Sequence, residues 1–146
     1  MSSIRDFMGD AHRACDELFA AAEEAVAKND WARARDAFER FRHATLHHFR
    51  MEEDVLFPAF ETRTGMSMGP TQVMRGEHVQ MRDLMEQMAA AANAGDANAY
   101  LGHAETLNML MQQHNMKEEN VLYPMTDQAL AGEREDVLQA MQGLPD

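Results

Sequence analysis

The stretch His47–Pro58 reads HHFRMEEDVLFP, and the stretch Gln113–Pro124 reads QHNMKEENVLYP. A shift of 66 residues aligns the two, and it matches a histidine, two consecutive glutamates, a Val-Leu pair and a proline. The same shift carries His12 onto His78, so the correspondence continues well outside the motif. The sequence therefore indicates a duplicated unit. Each half contributes one histidine and then, 36 residues later, a His-x3-Glu motif.

Apolar residues recur at alternating steps of three and four along four segments, which is the pattern of amphipathic helices. Ser3, Asp30 and Asp96 are suited to cap the N termini of three of these helices. Gly65 and Gly95 are suited to end the helices that precede them. No segment alternates with a period of two for long enough to predict a strand.

The predicted fold is all-α: an up-down-up-down antiparallel four-helix bundle that forms one domain over residues 1–146. Its two helical hairpins span about residues 4–65 and 70–131, and a short fifth helix is expected over residues 133–142, packed on the outside. Pro58 lies near the end of the second helix, where its missing N–H group is expected to kink the last turn.

The composition excludes several classes of function. A net charge of -12 repels nucleic acids and anionic membrane surfaces, and no Lys/Arg cluster offsets it. The single cysteine, Cys15, excludes an intrachain disulfide and any zinc site built on several thiolates. No apolar run approaches the roughly 20 residues that span a bilayer, and no signal-peptide pattern is found. We therefore expect a cytoplasmic protein.

The two His-x3-Glu motifs are candidate chelating pairs. Residues four apart on a helix lie on the same side, so His48 and Glu52 point the same way, as do His114 and Glu118. Each pair lies on a stripe of otherwise apolar residues, and so do the two remaining histidines. Six residues that can bind a metal are thus expected in the core: His12, His48, Glu52, His78, His114 and Glu118.

Burial of these groups needs compensation, because an unpaired buried carboxylate costs several kcal/mol. For one histidine alone, a hydrogen bond in the core is the better explanation. Six inward-facing groups on four helices, related by a single shift, favour a metal site instead. Imidazole and carboxylate without thiolate suit iron, manganese or zinc, and two carboxylates able to bridge favour two metal ions.

The order His, His-x3-Glu, His, His-x3-Glu, with each motif ending in Glu-Glu-x-x-Leu-Phe/Tyr-Pro, resembles the hemerythrin-like, or HHE cation-binding, proteins over about residues 8–128. The resemblance implies a non-heme di-iron centre with an oxo or hydroxo bridge inside a four-helix bundle. It also implies the ligands: His12 and His48 on one iron, His78 and His114 on the other, and Glu52 and Glu118 as bridges.

The sequence departs from the oxygen-carrying hemerythrins, which have His-x3-His on the third helix. Here Arg82 follows His78 at that spacing, so one imidazole is missing and a coordination position could be open on both irons. More open coordination argues against simple reversible O2 carriage and favours reactivity with O2, peroxide or NO. The first expectation is a protein that binds or senses O2 or a related small oxidant without being a dedicated enzyme. The alternatives are an enzyme that consumes H2O2 or NO, and a module for iron storage or sensing. No Glu-x-x-His motif supports a ferritin-like site.

Several residues near the motifs have two interpretations. Arg82 and Asp16 occupy equivalent positions in the two halves, so they are candidates to pair across the bundle or to close the site. Glu53, Glu77 and Glu119 are candidates to accept hydrogen bonds from ligand imidazoles, although exposed helix faces are the preferred interpretation.

Overall fold

The computed structural model describes residues 2–146, and none of these residues forms a strand. The α-helices are α1 (Ile4–Ala27), α2 (Trp31–Met51), α3 (Phe57–Thr64), α4 (Pro70–Ala94), α5 (Ala97–Lys117), α6 (Tyr123–Ala129) and α7 (Arg134–Gln142). Two five-residue π-helical turns, Glu52–Leu56 and Glu118–Leu122, join α2 to α3 and α5 to α6. Each π-helical turn continues one helix into the next, so α2–α3 and α5–α6 are two long helices, and residues 2–146 form four long helices and a short fifth one, as predicted. Within the described part of the chain, no helix has the length and apolar character needed to cross a bilayer.

The predicted caps explain where the helices begin and end. The side chains of Ser3, Asp30 and Asp96 each accept a hydrogen bond from the backbone N–H three residues later, at 2.9, 3.3 and 3.1 Å. Such bonds satisfy N–H groups that have no partner inside the helix. Gly65 and Gly95 follow α3 and α4 with φ angles of 74° and 66°, a left-handed conformation that favours glycine.

The helices pack as an up-down-up-down bundle. Helix α1 packs along α2, and α4 packs along α5, so each half forms a helical hairpin. Contacts of α2 with α4 and of α1 with α5 then join the hairpins. This arrangement brings one long helix from each quarter of the chain to the same central space.

A polar layer divides the interior into two apolar clusters. On α1, His12 lies between Met8, which belongs to one cluster, and Cys15, which belongs to the other. On α4, His78 is flanked in the same way by two buried methionines. The predicted metal ligands therefore occupy the layer between two separate apolar clusters.

Helix α7 forms where the fifth helix was predicted. Its residues Val137, Leu138 and Met141 are buried, and Met141 is fully so. The helix packs against the π-helical turn Glu52–Leu56 and completes the apolar cluster at that end of the bundle. It is thus part of the core and not a peripheral addition.

A π-helical turn directly precedes α3 near Pro58, where a kink was expected, and a second one precedes α6 near Pro124. The N–H groups of Phe57 and Tyr123 bond to the carbonyls of Glu52 and Glu118, five residues earlier in the chain. Pro58 then falls in the first turn of α3, and Pro124 in the first turn of α6, a position where proline is tolerated better than in a helix interior. Each π-helical turn begins at a glutamate predicted to bind metal.

Candidate metal centre

The structure brings all six predicted residues together in the polar layer. Helices α1, α2, α4 and α5 supply one histidine each, and each π-helical turn supplies the glutamate at its first position. Every one of them is buried, with at most 5% of its surface exposed: His12, His48, Glu52, His78, His114 and Glu118. The expectation of an inward-facing cluster from four helices is thus realised in the fold.

The six residues form two overlapping groups, each able to hold a cation. In the larger group, Glu52, His78, His114 and Glu118 offer ligand atoms that all lie within 4.8 Å of one another. In the smaller group, Glu118 again takes part, together with the two remaining histidines. The carboxylate of Glu118 is therefore common to both groups.

The metal-facing nitrogens of His78 and His114 lie near carboxylates without forming ordinary hydrogen bonds, whereas Nε2 of His12 and Oε1 of Glu118 do form one, at 3.1 Å. Nε2 of His78 lies 3.1 Å from Oε1 of Glu52, and Nε2 of His114 lies 3.2 Å from Oε1 of Glu118. Among the described residues, neither nitrogen has a partner with hydrogen-bond geometry, and one oxygen of each carboxylate also lacks one. An unsatisfied buried polar group costs about 1–3 kcal/mol, and coordination removes that cost. Nitrogen and carboxylate oxygen donors converging in this way fit a first-row transition metal.

The two central carboxyl groups have very different affinities for protons. Burial, reinforced by the neighbouring Glu118, raises the pKa of Glu52 to about 8. Burial acts on Glu118 in the same direction, but Glu52 and the surrounding imidazoles hold its pKa well below the usual value. The metal-free pair therefore keeps one proton near pH 7, and a bound cation would take its place.

Three of the four imidazoles are oriented by glutamates outside the cluster. In each case Nδ1 contacts a carboxylate, which leaves Nε2 directed at the centre. The contacts are His12 with Glu119 at 2.8 Å, His78 with Glu53 at 2.6 Å and His114 with Glu77 at 2.8 Å. The preferred interpretation of these glutamates as exposed residues was wrong, because their side chains are only 20–30% exposed and point inwards.

Two of these glutamates, Glu53 and Glu77, also contact a positively charged side chain. Arg82 donates to both oxygens of Glu53, and Lys117 donates to Glu77. Burial opposes ionisation of Glu53, but the bonds from His78 and Arg82 lower its pKa to about 2. Of the two options considered for Arg82 and Asp16, pairing across the bundle does not occur, since the Asp16 carboxylate accepts a hydrogen bond from Gln112 on α5 instead.

Tyr123 is a seventh residue of the cluster, and sequence reasoning had treated it only as part of the motif. Its hydroxyl lies 2.9 Å from an oxygen of Glu52 and 2.9 Å from an oxygen of Glu118, and it can donate to either. It also lies 3.2 Å from Nε2 of both His12 and His48. Burial and the two carboxylates raise the pKa of this phenol well above its usual value. The signal in the sequence was the Phe-to-Tyr difference between the two copies of the motif.

The fold and the cluster define an all-α bundle with a buried His/Glu site able to hold a metal. A comparison with protein-family models matches residues 3–126 to the hemerythrin HHE cation-binding domain. The match covers most of the 146 residues, so the chain belongs to the hemerythrin HHE cation-binding family. Comparisons with curated proteins and with solved structures gave no match.

Proposed function

We propose that this chain is a non-heme di-iron protein. In this proposal His12 and His48 hold one iron, His78 and His114 hold the other, and an oxo or hydroxo group and the carboxylates of Glu52 and Glu118 bridge them. The observation that carries the proposal is the convergence of buried ligand atoms that have no hydrogen-bond partner among the described residues. The family match supports a cation in this cluster, and its resemblance to hemerythrins favours iron.

The proposed activity is binding or sensing of O2 or a related small molecule such as NO or H2O2. Where oxygen-carrying relatives have a further histidine, this chain has Arg82, which is committed to Glu53. If two imidazoles and the shared carboxylates hold each iron together with one bridging oxygen, each iron would have room for an added ligand. A cytoplasmic setting, expected from the composition, belongs to the same proposal.

The iron pair would supply the redox chemistry and the binding position, and the chain's own residues would control access. Phe49 stacks on the His78 ring with 3.9 Å between centroids and an angle of 15°. Phe57 lies roughly parallel to the same ring at 6.0 Å. Both phenylalanines are buried, so they hold the imidazole in place and keep water away from this side of the cluster.

The second candidate is an enzyme that consumes peroxide or NO, and Tyr123 is the observation that favours it. A phenol in contact with both central carboxylates can give up or receive a proton next to the metals. A protein that only binds and releases O2 has no evident need for such a group. Turnover of H2O2 or NO by the iron-loaded protein, reduced when Tyr123 is replaced by Phe, would select this candidate.

Metal analysis tests the proposal first. The purified protein is expected to hold about two irons per chain, and Glu52→Ala should reduce that content, because it removes a bridge. Glu86→Ala, which removes an exposed glutamate on α4, serves as the matched control and should leave the content unchanged. A wild-type protein without a near-stoichiometric metal pair, or an unchanged content in Glu52→Ala, would overturn the proposal.

The response of the reduced protein to air then separates the activities. O2 is added after anaerobic reduction, and the visible spectrum is recorded before and after removal of O2. A spectral change that reverses supports binding or sensing. Immediate irreversible oxidation contradicts reversible binding.

A further inference from the structure

His48 differs from the other three histidines of the cluster in the surroundings of its Nδ1 atom. Its Nδ1 atom has no hydrogen-bond partner among the described residues, although only 4% of the residue is exposed. The Nδ1 atoms of His12, His78 and His114 each contact a carboxylate at 2.6–2.8 Å. Carboxylates therefore orient both histidines on the His78–His114 side but only His12 on the His12–His48 side.

The sequence repeat explains this difference. A shift of 66 residues carries Glu53 onto Glu119, so that carboxylate is present in both halves. The same shift carries Ala11 onto Glu77, so the partner of His114 has no counterpart for His48. Positions 11 and 77 are both half-buried, and each directly precedes a ligand histidine. Ala11 thus stands where a carboxylate would complete the symmetry.

A small cavity with a mostly apolar lining lies beside His48. It measures about 10 Å³, and its lining includes Cys15, Thr45, His48 and Asn115. The hydroxyl of Thr45 is buried and, like Nδ1 of His48, has no partner in the part of the chain that the structure describes. This volume is at the lower limit for one water molecule, so His48 has at most a single water on this side where the other histidines have a carboxylate. A neutral water is a weaker acceptor for an imidazole N–H than a carboxylate is.

The two sides also differ at the metal-facing nitrogens. The Nε2 atoms of His78 and His114 have no partner among residues 2–146, whereas those of His12 and His48 lie 3.2 Å from the Tyr123 hydroxyl. A metal on the His12–His48 side must displace this hydroxyl from its present contacts. On the His78–His114 side the hydroxyl contacts only one oxygen of each carboxylate, and the other oxygens of Glu52 and Glu118 have no partner among the described residues, so no such rearrangement is needed. This ligand group also has four members against three.

From these contacts we infer that the two metal positions are unequal and that the Ala11/Glu77 difference contributes to the inequality. The His78–His114 position fills first and retains its metal, and the His12–His48 position exchanges its metal more readily. This inference rests on the proposed two-metal function. Glu77 acts as a positioning residue in it, because it reaches the metal only through His114.

Release of Fe(II) to a chelator under anaerobic conditions tests the inference. The wild-type protein should release its two irons in two phases whose rates differ by about 10–100-fold, the usual effect of partners behind a metal ligand. Ala11→Glu should slow the fast phase by about tenfold. Ala14→Glu, which adds the same charge at an exposed position of α1, should leave both phases unchanged.

Glu77 supplies the converse test, which does not depend on Ala11→Glu folding correctly. Glu77→Ala should accelerate the slow phase by about tenfold or more, and Glu77→Gln, which keeps an acceptor oxygen, should restore most of the slow release. Circular dichroism verifies that each variant remains helical. Two results would overturn this inference alone. One is release of both irons from the wild-type protein at a single rate, and the other is an equal acceleration of the slow phase in Glu77→Gln and Glu77→Ala. A protein that binds no metal pair would overturn the proposed function together with it.

Discussion

Arg82 donates hydrogen bonds of 2.9 and 2.8 Å to the two carboxylate oxygens of Glu53, whose Oε2 also contacts Nδ1 of His78. A two-pronged pairing of this kind fixes both the position and the direction of the carboxylate. Arg82 therefore acts on the candidate metal site only through Glu53 and His78. The residue at the position where oxygen-carrying hemerythrins are expected to have a further histidine thus supports one of the proposed ligands.

Replacing Glu53 and Arg82 should weaken metal binding to different degrees. Glu53→Ala is expected to lower the metal affinity of the His78 position by about 10–100-fold, because the imidazole loses its orienting partner. Arg82→Ala should act in the same direction but less strongly, since the contact between His78 and Glu53 survives. Competition with a calibrated chelator measures both. Arg40→Ala, which removes an exposed arginine paired with Asp36, is the control, and an unaltered affinity in Glu53→Ala would contradict the assignment.

Removing the Tyr123 hydroxyl should destabilise the metal-free protein. Tyr123→Phe leaves two buried carboxylates with one donor fewer, at an expected cost of about 1–3 kcal/mol in the free energy of unfolding. The matched control is Tyr100→Phe, because the buried hydroxyl of Tyr100 has no partner among the described residues and its loss should be nearly neutral. Urea denaturation of both metal-free variants gives the comparison. Equal effects would mean that the hydroxyl of Tyr123 contributes nothing to the cluster.

Metal uptake should release protons, and metal affinity should rise with pH. In the metal-free protein the pKa of Glu52 is raised to about 8, and Glu118 raises the pKa of His114 to about 9 against the effect of burial. Both groups therefore carry a proton at pH 7 that a cation must displace. As the pH increases from 6 towards 9, this competition disappears and binding strengthens. Calorimetry in buffers of different ionisation enthalpy measures the released protons, and a pH-independent affinity would contradict the prediction.

Replacement of Glu52 should have opposite effects with and without metal. Two carboxyl groups forced together in the core are unfavourable without a cation, so Glu52→Gln should leave the metal-free protein as stable as the wild type or more so. The same variant should lose most of the stabilisation that metal gives the wild type, which reaches about 4 kcal/mol when the free metal is 1,000 times its dissociation constant. Melting temperatures of the four samples test both statements. If metal raised the melting temperature of Glu52→Gln by as much as that of the wild type, Glu52 would not be a ligand.

The helices and the six clustered residues could be predicted because both follow from the spacing of residues along an α-helix. The stripe of a helix places His48 beside Glu52 in any bundle, and the 66-residue repeat supplies the other half. The π-helical turns could not be predicted in this way. Their side chains follow almost the same pattern as those of an α-helix, and only the backbone bonds distinguish them.

The supporting contacts escaped prediction for a different reason. His12 and Glu119 are 107 residues apart, so their contact depends on how the hairpins pack and not on any local spacing. Glutamates at the edge of an apolar stripe look the same whether they face solvent or a neighbouring helix. Tyr123 was equally hidden, because a tyrosine and a phenylalanine occupy a core position of the motif in the same way.

The polar layer between the two apolar clusters has a consequence for how the bundle unfolds. With metals bound, the ligands tie four helices together across the layer, so both clusters should melt in a single cooperative transition. Without metals, each cluster depends on its own packing, and one end of the bundle can open before the other. Removal of the metals should therefore broaden the denaturation curve and lower the apparent m value, the slope of the unfolding free energy against denaturant concentration. The same ions proposed to carry the chemistry would then make one folding unit out of two.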